Sequence, residues 1–228
     1  MLSAIAIVPC APVLVPELAG AASAEVADLA AAVLVAAAVL PARWVAIGTG
    51  PADVVIGPDS AGTFAGFGVD VPVRLSPPAA GVARDMPLCA LLAGWLRGQA
   101  RPDGSAAVHV YAADDDPATA VGRGRQLRAE VDGQADPIGV LVVADGANTL
   151  TARAPGGFDP DGEGAQRLLD DALAGGDVTA LSRMPQRILG RVAFAVLAGL
   201  ADPGPRSAKE LYRGAPYGVG YFAGVWQL

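Results

Sequence analysis

The sequence predicts an α/β fold: a three-layer α/β/α sandwich around a mixed, largely parallel sheet. Strand-like and helix-like segments alternate along the chain, as in β-α-β units whose crossovers cover both faces of a sheet. Hydrophobic residues make up 53% of the 228 and charged residues 17%, enough to fill a sizeable core and too little charge for global disorder. Three Gly/Pro-rich turns, "PCAP", "GTGP" and "ADGANT", each follow a strand at its C-terminal end. Open α/β sheets hold their ligands at that edge.

Leu2–Val8 is an apolar run read as a buried strand, and 22–40 as a helix ended by Pro41. "WVAIG" at 44–48 is a second strand. Short strands are expected at 53–57 and in "VDVPVRL" at 69–75. Residues 85–96 read as a helix with Asp85 near its N-cap and Pro87 in the first turn. "AAVHVYAA" at 106–113 alternates as a strand does. The helix that follows opens on "DDDP", placing acids at the positive end of its dipole, and carries "RGRQLR" at 123–128 toward solvent. "IGVLVVADG" at 138–146 is the clearest buried strand. Helices are expected near 161–174 and 188–200, and the tail reads as a loop between two strand-like pieces. No internal repeat or long linker interrupts the pattern.

Composition narrows the function classes. A formal charge of -7 and scattered basic residues leave no stripe for counterion release, so no nucleic-acid partner is expected. Abundant Ala, Gly, Pro and Arg with little Lys reflects high-GC bacterial coding rather than chemistry. Two cysteines, Cys10 and Cys89, form no disulfide framework and no C-x-x-C metal spacing, so reduced thiols in the cytoplasm are expected. The apolar N-terminus lacks a preceding basic residue and is broken by Pro9 and Pro12, unlike an export signal. Residues 29–40 are apolar but too short to span a bilayer, so no membrane partner is expected.

Few residues offer chemistry. "GTGP", "GVGYFAG" and "GRGRQL" complete no phosphate-binding fingerprint. Cys10 could pair with His109, the one histidine, as nucleophile and base; a half-buried structural role for His109 is the blander alternative. Asp145 ends the best strand in a loop with Asn148 and Thr149, placed either as a general base or as the cap of a tight Asp-Gly turn. Asp159 and Asp161 read as turn and N-cap residues. Tyr212, Tyr217, Tyr221 and Trp226 line a pocket or fill the core.

Several segments, in order over almost the whole chain, resemble the subunit-B-like class III extradiol dioxygenases, whose superfamily includes the Memo proteins. "VPCAPVLVPE" is similar to a "VPHPPL-VPE"-like turn, "AIGTGP" to a strand leading into "SPHGP", "ADGANTLTARAPGGFDP" to "GDLSHRLT-x-AP-x-G-x-DP", and "YRGAPYGVGY" to "YEAPFGVGY". The resemblance implies a single domain over 1–228 with a phosphorylase/hydrolase-like α/β/α sandwich. It further implies, for active members, Fe(II) held by two histidines and a glutamate, with open positions for a diol and dioxygen, and another histidine for acid/base work. Matched by segment, the metal histidines fall at Cys10 and at or beside Thr49, the acid/base histidine at Asn148, and the glutamate near Gly214. All four are replaced, and no His, Glu or Asp adjoins Thr49 or Gly214.

The expectation is therefore a non-catalytic or altered-function relative without Fe(II) ligands and without metal or other cofactor. Its retained cleft, with candidates Cys10, Thr49, Asp145, Asn148 and Gly214, would take a small molecule or a partner. Alternatives are an enzyme with new chemistry from Cys10, Asp145 and Asn148, or a structural subunit beside an active partner. Self-association is also left open.

Overall fold

The computed structural model describes residues 1–228. Its strands are β1 (Leu2–Val8), β2 (Arg43–Gly50), β3 (Val54–Ile56), β4 (Ala61–Thr63), β5 (Pro72–Arg74), β6 (Ser105–Ala112), β7 (Ile138–Val143), β8 (Ser207–Gly214) and β9 (Tyr221–Gln227). Its helices are α1 (Pro16–Ala19), α2 (Ala27–Ala38), α3 (Leu88–Ala100), α4 (Pro117–Asp132), α5 (Gly162–Gly175), α6 (Val178–Leu181) and α7 (Arg191–Ala201). Seven strands form one sheet in the order β3-β6-β2-β7-β1-β9-β8, and β4 and β5 form a separate pair. The four central strands β6, β2, β7 and β1 run parallel, while β3 and β9 pair antiparallel to their neighbours.

The layers follow from alternation along strands that are buried on both faces. On β1, Ala4, Ala6 and Val8 enter one core with α2 and α3; Leu2, Ile5 and Ile7 enter the other with α4, α5 and α7. β7 is buried at all six positions and divides in the same way. The chain steps outward from β1 to β2 to β6 with α2 and α3 on one face, then returns to β7 through α4 on the other. Right-handed crossovers require that change of face when the direction of travel reverses. The molecule is thus the three-layer α/β/α sandwich expected from the alternation.

Some boundaries differ from expectation. The helix expected over 22–40 begins only at Ala27, because Pro16 starts the four-residue α1, Gly20 ends it at φ 53°, and a 3₁₀ stretch follows at Gly20–Ala24. α3 begins at Leu88, not Asp85: Pro87 is extended at ψ 149° and serves as N-cap, and a residue before proline is driven out of the helical region. Asp116, by contrast, caps α4 through the Thr119 N–H. Of the 123–128 group, Arg125 and Gln126 face solvent while Gly124 and Leu127 turn inward. The strand expected over 138–146 stops at Val143, leaving Asp145 in the loop. The segment 69–75 supplies β5, which pairs with β4 outside the main sheet.

Helices α4 and α7 approach backbone to backbone. A Cβ on Gly124 would penetrate the Val196 carbonyl oxygen, and one on Gly199 the Val121 carbonyl oxygen. Neither collision can be relieved by a side-chain rotation, so overpacking forces the helices apart. Gly199→Ala is expected to lower stability by about 2–3 kcal/mol, measured by chemical denaturation; an unchanged midpoint would show that the two helices can separate freely.

Candidate functional site

β2, β7 and β1 are neighbours, so the three turns singled out in the sequence share one edge. Val8 pairs with Val143 and Ile47 with Val142, which sets the strand ends at nearly one height. The Cys10 backbone N–H donates to Asp145 Oδ1 at 2.7 Å, tying the turn after β1 to the loop after β7. The carboxylate is taken largely out of water there, which pushes its pKa up to about 7 although the Cys10 N–H opposes the shift.

Cys89, at the start of α3, joins this cluster. Its Sγ would lie 2.6 Å from a Cβ on Gly48, so only glycine lets β2 pass beneath the thiol. The Sγ also points at the Thr49 carbonyl oxygen, 3.6 Å away. Burial raises the Cys10 thiol well above its ordinary pKa, with the nearby Asp145 and then Cys89 adding to the effect. Burial likewise pushes Cys89 to about 11. Continuing the antiparallel Ile7–Gly224 register outward places Tyr221 beside Cys10, and its phenol is raised by burial and then by Asp145. No cation contributes to any of these four shifts, so the two thiols and the phenol are held in neutral forms rather than activated, while the Asp145 carboxyl changes charge near neutral pH.

The other expected site residues lie apart. Asn148 directs Oδ1 at Gly156, and its carbonyl accepts the Gly156 N–H at 2.9 Å, making it part of the loop that follows. Gly214 ends β8 opposite Tyr221, with β9 between it and β1. It lines a cavity of about 330 Å³ with Gln166, Asp170 and Arg213. His109 packs on the α4 and α7 side beside Tyr111, whereas Cys10 packs against the α2 and α3 core. The sheet separates them, and β2 and β7 stand between their strands. A Cys10–His109 catalytic pair is therefore ruled out by the topology.

Nowhere in the chain do three or more His, Cys, Asp or Glu side chains converge to hold a metal ion. The residues present do not fit an Fe(II) centre of two imidazoles and a carboxylate. Thr49 and Gly214 offer a hydroxyl and no side chain, and Asn148 offers an amide in place of an imidazole.

A buried polar connection escaped the sequence reading. Gln166 on α5 inserts its side chain between Gly146 and Gly220, where either glycine's Cβ would collide with it. Its Oε1 accepts the Ala147 N–H at 2.8 Å, and its Nε2 donates to Asp170 Oδ1 at 2.8 Å. The backbones on either side exchange Gly146–Gly220 and Gly220–Ala147 hydrogen bonds. Burial raises the Asp170 carboxyl to about 6. The spacing of Gln166 and Asp170, four apart on the apolar face of an amphipathic helix, was the available signal.

Compared with solved structures, the chain is similar to the uncharacterized protein JW3007 from Escherichia coli K12, with a TM-score of 0.58 and 10% identity. The match covers 98% of this chain and 99% of that one. At such identity the likeness concerns the fold alone. No family model and no curated protein matches the chain.

Two outcomes are expected. The Asp145 carboxyl has its pKa raised from 3.8 to about 7 by folding, so the folded state holds the proton longer. Stability is lost as pH rises from about 4 to about 7, and the full penalty persists above that window. Asp145→Asn keeps an oxygen for the Cys10 N–H without a buried charge. Its stability relative to wild type should grow between pH 4 and pH 8, by up to about 4 kcal/mol; a pH-independent difference in melting would refute the account. Native Cys10 should also react with iodoacetamide at pH 7.5 at least about tenfold more slowly than glutathione, followed by mass spectrometry. A faster reaction would mark it as an activated nucleophile.

Proposed function

We propose that this chain is a cytoplasmic, metal-free relative of the class III extradiol dioxygenases that binds a small molecule or a partner and does not cleave aromatic rings. The observation that carries the proposal is the Cys10–Asp145 contact at the C-terminal edge of the sheet. At the position matched to a metal histidine, the chain places a protonated thiol whose backbone is fastened to a neighbouring carboxylate. That local arrangement serves closure of two loops better than coordination. The position of His109 on the other face and of Gly214 beyond β9 supports the same conclusion. Both cysteines are free, and no helix is long and apolar enough to cross a membrane.

A second reading has its own support. A carboxyl with a pKa of about 7, at the edge where open α/β sheets hold their ligands, is tuned for proton transfer at neutral pH, which would make Asp145 the centre of a different, metal-independent enzyme.

Anaerobic incubation with one equivalent of Fe(II), followed by desalting, separates these ideas from ring cleavage. The expected result is negligible retained iron by elemental analysis and no oxygen uptake with catechol. Stoichiometric iron together with oxygen-dependent catechol cleavage would overturn the proposal.

A further inference from the structure

The remote edge of the sheet holds a second, chemically different groove. β3 is the outermost strand and pairs only with β6. It leaves Val54 44% and Val55 63% exposed. Beside Val55, which lies opposite His109 in the β3–β6 register and so shares its face, α4 passes over the His109 and Tyr111 rings of β6 and leaves a cavity of about 460 Å³. That size suits a small-molecule site, and the mixture of apolar wall and a few polar groups is characteristic of one.

The charges in the groove are unevenly committed. Arg123 is neutralised by Asp53 and Asp115, each at 2.7 Å, and its guanidinium lies 5.6 Å from the centre of the Tyr111 ring. Glu130 has no such cation; its Oε1 only accepts from Gln126 Nε2 at 2.9 Å. Its charge nevertheless reaches both rings, opposing at His109 the downward pKa shift caused by burial and reinforcing at Tyr111 an upward shift to about 12. The two rings lie 6.5 Å apart and tilted by 31°. The groove therefore combines neutral aromatic groups, the exposed Val55 side chain and an excess of negative charge.

We propose that the groove between β3 and α4 binds a small aromatic amine, its ring against Val55 and His109, which are paired across β3 and β6, and its ammonium toward Glu130. A carboxylate ligand would meet Glu130 and Asp53, with the only cation already shared between two acids. An uncharged ligand of the same shape would gain the valine contact but not the ion pair. This site lies on the opposite face and at the far side of the sheet from Cys10, so it stands or falls independently of the iron experiment.

The single histidine supplies a direct readout, since its imidazole C–H signals in proton NMR are unambiguous. Phenethylamine, 2-phenylethanol and phenylacetate share a ring and differ in charge, and each would be titrated into the wild-type chain. Phenethylamine should shift the His109 signals saturably and bind at least about threefold more tightly than the alcohol, the scale of one partly exposed ion pair. Phenylacetate should bind more weakly than both. Glu130→Gln, an exposed position, should weaken phenethylamine by about threefold to fivefold and leave the alcohol unchanged. Absence of saturable shifts with phenethylamine overturns the site. Phenylacetate binding as tightly as the amine, or unchanged amine affinity in Glu130→Gln, overturns the assigned ligand charge.

Discussion

Burial of the two central strands, β7 at every position and β1 at all but Ser3, is the constraint from which the rest of the structure follows. β1 and β7 have apolar layers on both faces, so polar groups at their ends have little water to turn to and must find partners within the chain. At one loop the Cys10 N–H finds Asp145; in the next, the Ala147 N–H finds Gln166. These two side chains convert separate turns into one fastened edge. The same lack of water leaves Asp145 and Asp170 far less acidic than exposed carboxyls.

The fold was legible because its signals are local and repeated. β1 and β7 could be read as apolar strands, α4 as a segment opened by "DDDP", and the last two strands as pieces flanking a Gly-rich loop. The failures also have local causes. Pro16 and Gly20 divided what composition presents as one alanine-rich helix, and Pro87 moved to Leu88 a start that the sequence places at Asp85. β4 has only three residues, "AGT", and is held by β5 rather than by any periodicity of its own.

The candidate site was legible only in part. The sequence brought three turns to one edge, where Cys10 and Asp145 meet directly and the Thr49 backbone joins through Cys89. It could not show that Cys89 reaches the same point from α3, because the contact depends on the missing side chain of Gly48. Tyr221 was visible as an aromatic, but its place beside Cys10 follows from the β1–β9 register. Asn148 and Gly214 were placed by segment matching, which conveys order along the chain and not where loops or an outer strand come to rest.

The close passage of α4 and α7 also bears on how the chain acquires its structure. Ten of the eleven residues of α7 are buried, so this helix has almost no face suited to water. Detached, it would be a sticky apolar segment, prone to association before the second layer is assembled. Gly124 and Gly199 allow it to dock flush against a helix made earlier in the chain. The close seam against α4 and the sheet is therefore what takes this apolar helix out of water in the folded chain.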